Sequence, residues 1–174
     1  MGVCFSATSL LWRCALAGDV VLFCCYATTR AGNIAAKRGM ILHAWCIMSN
    51  HVHLVFSAAH SDPSDILRDF KKLTSKKIIS AILNSMIESS KHWMIQIFRI
   101  AGESNSRNAN YQFWRQDNQP KEMWSEKFTD QKLYYIHNNP VEAGIVDKEE
   151  EYIYSSARDY YYGKNCGLLK IVFL

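Results

Sequence analysis

The sequence predicts an α+β fold in a chain of 174 residues. Two β-rich runs, residues 40–48 and 51–58, are separated only by Ser49 and Asn50, a spacing that is typical of an antiparallel hairpin. Helical patterns follow the hairpin, first from residue 62 and again from Thr129. A hairpin followed by helices indicates the α+β class.

Composition limits the class of protein. A chain of this length forms one domain with a real core. Apolar residues make up 49% and charged residues 21%, which excludes a disordered chain and a membrane protein. The net charge of +4 is mildly basic and fits a polyanionic partner. The cysteines form no C-x-x-C pair, so we expect free thiols in a reducing cytoplasm. They are Cys4, Cys14, Cys24, Cys25, Cys46 and Cys166.

The N-terminal residues are apolar enough to suggest a signal peptide or a membrane span. No basic residue precedes the apolar run, and Arg13 and Asp19 interrupt it well short of the roughly 20 residues that a span needs. The first residues also fit the loose myristoylation pattern, which is common by chance. We therefore expect a cytoplasmic protein without membrane association. Residues 20–29 resemble a buried strand, and a loop or short helix ends at Gly39.

The run 51–58 contains an H-x-H pair. Alternation along a strand places His51 and His53 on one face with Val55, and Val52, Leu54 and Phe56 on the other. Two imidazoles on one face can hold a metal ion, but a third ligand is needed for useful affinity. The alternative is that both histidines lie on a solvated sheet face.

The first helical pattern begins at Asp62 and Pro63, a typical helix start. Its apolar stripe shifts after Leu73, which allows a bend near Thr74. The basic residues on the opposite side can contact phosphates or lie on a solvated face, and the two alternatives stay open. They are Arg68, Lys71, Lys72 and Lys76.

A polar stretch, residues 101–112, is predicted to be a loop. Trp114 and Arg115 follow in an aromatic and basic turn region. They can contact bases, although a large aromatic residue in a loop often anchors the core instead. The last helix is expected to begin near Thr129 and to kink or end at Pro140.

Tyr135 and Asn139 lie four residues apart in this last helix and therefore on one face. A tyrosine hydroxyl that can attack and an amide oxygen that can bind metal would point the same way. The alternative is a core-edge tyrosine and an asparagine that caps the helix before Pro140.

Two blocks, residues 44–58 and 135–146, together resemble the REP-associated tyrosine transposases, which are single-tyrosine HUH transposases of bacterial insertion sequences. The H-x-H pair alone is weakly specific, whereas both blocks in this order and at this separation are strongly specific. The resemblance extends from about Ile41 to the C-terminus, which makes 41–174 the expected transposase domain and 1–40 an atypical segment that can still belong to the sheet.

The resemblance implies a ferredoxin-like HUH nuclease fold with the histidines on a central strand. It also implies that Tyr135 is the nucleophile and that His51, His53 and, less firmly, Asn139 bind Mg²⁺ or Mn²⁺. The expected activity is cleavage and joining of single-stranded DNA at hairpins through a 5′-phosphotyrosine, by a monomer or homodimer.

The chain also departs from the family. The first forty residues match poorly, and Gln119 precedes Pro120 where relatives have histidine. Two other functions therefore stay open. One is an inactive or domesticated module that binds hairpin DNA. The other is a metal-dependent phosphodiesterase that does not need Tyr135.

Overall fold

The computed structural model describes residues 2–8, 39–85, 91–105, 110–116 and 120–174. These residues form an antiparallel sheet with helices on both faces, which confirms the predicted α+β class. The strands are β1 Gly2–Thr8, β2 Met40–Ile47, β3 His51–Ala58 and β4 Lys121–Met123. The helices are α1 Pro63–Asn84, α2 Lys91–Glu103, α3 Glu126–Glu142 and α4 Ala157–Tyr162. None of these helices is long and apolar enough to cross a membrane.

The sheet has the strand order β2-β3-β1-β4, so β3 and β1 are its interior strands. The predicted hairpin joins β2 to β3, with the Met48 N–H donating to the His51 carbonyl at 2.8 Å. Val52, Leu54 and Phe56 belong to the larger of two apolar clusters, together with α1 and α2. Val55 belongs to the second cluster with residues of α3. The predicted division of the two strand faces is therefore confirmed.

The N-terminal strand β1 is a feature that sequence patterns did not predict. It pairs along its whole length with β3, from Gly2 opposite Ser57 to Thr8 opposite His51. The apolar residues Val3, Phe5 and Ala7 alternate along this strand, but the pattern is short. The pairing of residues 2–8 with a strand some fifty residues later is not visible in local sequence. The strand predicted at 20–29 and the loop or short helix after it lie outside the described residues. The division of the chain at residue 40 stays a prediction.

Helix α1 begins as predicted. The Asp62 carboxylate accepts the Ser64 N–H at 2.7 Å, and Pro63 occupies the first turn, where its missing N–H costs nothing. The helix then continues without interruption past Thr74, whose hydroxyl donates to the Phe70 carbonyl at 2.8 Å. Both halves of its apolar stripe bury against one core, so the shift of the stripe does not interrupt the helix.

Two predicted boundaries are wrong. The loop expected at 101–112 begins later, because α2 continues to Glu103 and buries Met94 and Phe98, one turn apart, in the larger cluster. Helix α3 begins at Glu126 rather than Thr129, because the Ser125 hydroxyl accepts the Phe128 N–H at 3.2 Å and caps the helix there.

Pro140 does not end α3, which continues to Glu142. Pro140 lacks only its own N–H and so removes one backbone hydrogen bond, which the helix tolerates. The helix stops instead at Gly144, whose φ of +67° is strained for residues with a Cβ. Asn139 therefore lies inside a regular helix rather than at its end, which keeps it one turn from Tyr135.

C-terminal residues cover the edge strand β2. The N–H of Ile47 donates to Tyr154, that of Ser156 to Trp45, and that of Val172 to Leu42, each over 2.8–2.9 Å. These bonds occupy the backbone groups that an open edge would leave free for another chain. They also connect β2 to the segment that follows α3.

Candidate active site

The two histidines of β3 lie side by side on the sheet face that α3 covers. Their ring centroids are 4.7 Å apart and the rings are nearly perpendicular. His53 is only 4% exposed, so the alternative of a solvated sheet face does not hold for it. Burying a polar ring costs free energy unless it has a partner, so this pair is a candidate ligand-binding site.

Helix α3 places Tyr135 against the same pair. The Tyr135 ring centroid lies 5.6 Å from that of His53, in an edge-to-face arrangement. Tyr135 remains 48% exposed, so a substrate can reach its side chain. The structure thus brings together the predicted nucleophile and the predicted metal ligands, which are about eighty residues apart in sequence.

Asn139 completes this group. Its Nδ2 donates to the Tyr135 carbonyl at 2.8 Å, which leaves its amide oxygen as an acceptor. Burial lowers the pKa of both imidazoles, and the Asn139 side chain beside them partly offsets that lowering. All three predicted ligands therefore converge.

Burial dominates the charge state of the histidines. It lowers the pKa of His51, and it lowers the pKa of His53 to about 3, with the neighbouring His51 acting in the same direction. Both rings are therefore neutral at pH 7. Neutral imidazole is the form that binds a metal ion, so no proton has to be displaced first.

The free nitrogens suit a divalent ion. His51 Nδ1 donates to the Asn50 Oδ1 at 2.6 Å, which leaves its Nε2 lone pair available. His53 Nε2 is buried and makes no hydrogen bond of normal geometry within the described residues. An orphaned imidazole nitrogen of this kind is costly unless it binds something. Two imidazole nitrogens and an amide oxygen therefore fit Mn²⁺ or Mg²⁺.

Asn139 is needed because the site has few other ligands. Cys46 of β2 pairs with His53 of β3. Burial raises the pKa of the Cys46 side chain to about 12, so it stays a neutral thiol. Within the described ranges, no group of three or more His, Cys, Asp or Glu side chains can hold a metal ion.

Lys132 is a site residue that sequence reasoning missed. Its Nζ lies 5.5 Å from the Tyr135 ring centroid and 5.2 Å from that of Phe128. Its charge also contributes to lowering the pKa of His53. The signal was available in the sequence, since Lys132 precedes Tyr135 by three residues and so shares its helix face.

The basic residues of α1 that are predicted to bind DNA line a separate groove of about 1140 Å³, which α1 forms with residues 110–114, 116 and 120. We call it the basic groove; among its lining residues are Arg68, Lys71, Lys72 and Lys76. Because α1 packs on the Val52 face of β3, the basic groove lies on the other side of the sheet from the histidines.

These cations are not equivalent. Arg68 contacts Asp65 at 2.5 Å, and Lys71 donates to the Arg115 carbonyl at 2.9 Å. Lys72 and Lys76 are exposed. Phosphate contacts would therefore fall mainly to Lys72 and Lys76.

Trp114 anchors the core rather than standing free to stack on bases. It is 6% exposed, and its Nε1 donates to the Thr74 hydroxyl at 2.8 Å. A base could reach only the part of the indole that lines the basic groove. Arg115 does not line that groove among the described residues, and its predicted DNA contact stays a prediction.

Residues 27–94 match the protein family described as "Transposase IS200 like". This segment begins before β2 and includes the H-x-H pair and the whole of α1. This part of the chain is therefore similar to the IS200-like transposases. The resemblance predicted from the sequence is thereby confirmed.

Solved structures share the fold of this chain. A REP-associated tyrosine transposase bound to a REP hairpin superposes with a TM-score of 0.60 at 16% identity, over 93% of this chain and 80% of that one. A protein of Deinococcus radiodurans R1, described as a candidate transposase, gives a TM-score of 0.48 at 16% identity, over 79% of this chain and 89% of that one. No curated protein matches the chain.

Proposed function

We propose that the chain is a transposase that cuts and rejoins single-stranded DNA through a covalent bond to Tyr135. The observation that carries this proposal is the contact of the Tyr135 ring with His53, at 5.6 Å between centroids, beside Asn139. The family of residues 27–94 supports the same activity. The REP hairpin in the structural relative supports hairpin-bearing DNA as the substrate.

The chemistry is a transesterification. The Tyr135 hydroxyl loses its proton and attacks the scissile phosphorus, forming a 5′-phosphotyrosine bond while the 3′ oxygen leaves and is protonated. The reverse attack by a 3′-hydroxyl rejoins a strand and releases the tyrosine. The ammonium group of Lys132 lies near the ring and offsets negative charge that builds up at this phosphate.

The metal site has a defined role in this proposal. His51 and His53, through their free ring nitrogens, and Asn139, through its amide oxygen, would hold Mg²⁺ or Mn²⁺. When bound, such an ion supplies Lewis-acid polarisation of a phosphate oxygen. The neutral imidazoles keep the site ready to bind without proton release.

Lys72 and Lys76 of the basic groove would contact phosphates of the hairpin stem or of the flanking strand. The edge strand β4 begins at Lys121, one residue after Pro120, which lines that groove. The DNA would therefore pass around this sheet edge between the groove and Tyr135. We place the protein in the cytoplasm as a monomer or homodimer.

The test is formation of a protein–DNA adduct that survives denaturation, using hairpin-bearing single-stranded DNA and Mn²⁺. Wild-type protein should form the adduct and Tyr135→Phe should form none, since the attacking oxygen is gone. Tyr134→Phe is the matched control, because Tyr134 is adjacent and 65% exposed, and it should behave as wild type.

Three outcomes would contradict this proposal. Hairpin binding without any adduct from wild-type protein indicates a non-catalytic binding module. DNA cleavage that persists in Tyr135→Phe indicates a phosphodiesterase without a covalent intermediate. Loss of the adduct in Tyr134→Phe instead would move the nucleophile to the neighbouring residue.

Asn50→Ala should weaken Mn²⁺ binding by about 10- to 100-fold, because Asn50 Oδ1 holds the tautomer and orientation of the His51 ring. Isothermal titration with Mn²⁺ alone measures this effect. Asn138→Ala is the control, since Asn138 binds Glu142 on the surface of α3 and should leave affinity unchanged. Equal affinities of Asn50→Ala and wild type would show that His51 is not oriented in this way.

A further inference from the structure

Trp124 is an exposed aromatic residue that neither the core nor the chemistry of Tyr135 uses. It lies between β4 and the cap of α3 and is 72% exposed, the largest exposed fraction among the large hydrophobic side chains that the structure describes. Exposing an indole to water is unfavourable, and such a ring often marks a surface that a ligand or partner covers.

The Trp124 ring is held in a defined orientation. It stacks on Phe128 at 5.7 Å between centroids and 19° between planes. Phe128 itself packs against the apolar cluster under α3, and this packing holds the stacked pair in place. One side of the indole is therefore supported, and most of its surface remains in solvent.

Lys132 continues this arrangement toward Tyr135. Its Nζ lies 5.2 Å from the Phe128 centroid and 5.5 Å from the Tyr135 centroid. Within the described part of the chain, no carboxylate forms an ion pair with Lys132. We call Trp124, Phe128 and Lys132 the aromatic row; it follows one face of α3 and leads directly to the nucleophile.

An exposed indole stacked on a ring that a cation contacts suits one class of ligand. Single-stranded DNA offers unpaired bases that stack on aromatic rings and phosphates that attract ammonium groups. A base inside a duplex has both of its faces occupied by neighbouring base pairs, so it cannot stack in this way. The positive charge within the row and its continuity with Tyr135 favour a nucleic acid over an apolar protein partner.

We propose that the aromatic row binds the single-stranded nucleotides next to the bond that Tyr135 cleaves, with one unpaired base stacked on Trp124. This inference rests on the proposed function and adds a binding surface to it. The aromatic row and the basic groove then bind different parts of the substrate: the groove contacts phosphates, and Trp124 contacts a base. Specificity for unpaired DNA follows from the stacking.

The test compares two fluorescent probes of about 12 nucleotides, an oligothymidine and an abasic strand with the same number of phosphates. Trp124→Ala should weaken binding of oligothymidine by about 5- to 100-fold and leave binding of the abasic strand unchanged. Trp124→Phe should recover most of the loss, because a ring is restored. Tyr161→Ala removes another exposed aromatic residue, on α4, and should change neither affinity.

Equal loss on both probes would overturn the stacking, since only phosphate attraction or folding would then have changed. Unchanged affinity in Trp124→Ala would overturn the inference, and self-association of the wild type that is lost in Trp124→Ala would show instead that Trp124 binds protein. Tyr135→Phe keeps the row and should bind oligothymidine like wild type. A wild-type protein that forms no adduct but still shows the Trp124 effect would refute the proposed function alone.

Discussion

His51→Ala is expected to reduce Mn²⁺-dependent adduct formation by about 100-fold or more, the scale of losing a Lewis acid at the scissile phosphate. The change removes one of the two imidazole nitrogens that the sheet offers to a metal. His51 is less buried than His53, so its replacement leaves a smaller cavity and should cost little stability. The adduct assay is carried out at saturating DNA.

A second readout separates metal loss from misfolding. Wild-type protein should unfold at a higher temperature when Mn²⁺ is added, because a ligand that binds only the native state stabilises it. His51→Ala should lose that shift and otherwise unfold like the metal-free wild type. His92→Ala is the control, since His92 is exposed on α2 and should keep both activity and shift. Full activity in His51→Ala would remove the histidine pair from the mechanism.

His137→Ala is expected to lower both stability and turnover. Buried His137 lies in α3 between Tyr135 and Asn139, and its Nε2 lies 2.9 Å from the Ser156 hydroxyl. Burial lowers its pKa to about 4, so the ring is neutral at pH 7. Its loss leaves a cavity and removes one buried hydrogen bond, which should cost about 2–4 kcal/mol in the free energy of unfolding measured with urea.

The expected loss of turnover follows from the second hydrogen bond of the Ser156 hydroxyl. Its hydroxyl also accepts the Trp45 N–H at 2.9 Å, so the His137 bond connects the nucleophile helix to β2, beside the histidine strand. A helix freed to rotate misplaces Tyr135, and we expect a further loss of about 10- to 100-fold in the rate at saturating DNA. His137→Gln, which can place a nitrogen near the same hydroxyl, should recover much of both. Recovery of stability without recovery of rate would show that this bond does not position Tyr135.

Local sequence was informative where neighbouring residues decide the outcome. The Ser49-Asn50 hairpin, the alternation that places His51 beside His53 and the helix start at Asp62 follow from backbone geometry over a few residues. The four-residue spacing of Tyr135 and Asn139 likewise follows from helical periodicity. The two pairs, His51 with His53 and Tyr135 with Asn139, are the candidate catalytic groups.

Long-range packing decided the rest. Strand β1 exists because β3 supplies its hydrogen bonds, and residues 2–8 alone do not indicate it. Trp114 lies in the core because Thr74 of α1 accepts its N–H, forty residues away. Cys46 is a neutral thiol because burial raises its pKa to about 12.

The amino-acid sequence was enough to predict the candidate groups. Short spacings within one strand and one helix place His51 beside His53 and Tyr135 beside Asn139, and the family resemblance suggested their roles. Their meeting depends on how that helix packs on that strand, at 5.6 Å between the Tyr135 and His53 rings. The exposure of Trp124 depends on the same packing. Secondary structure has a local period that a sequence records, whereas burial and contact arise from surfaces that meet only after the chain has folded.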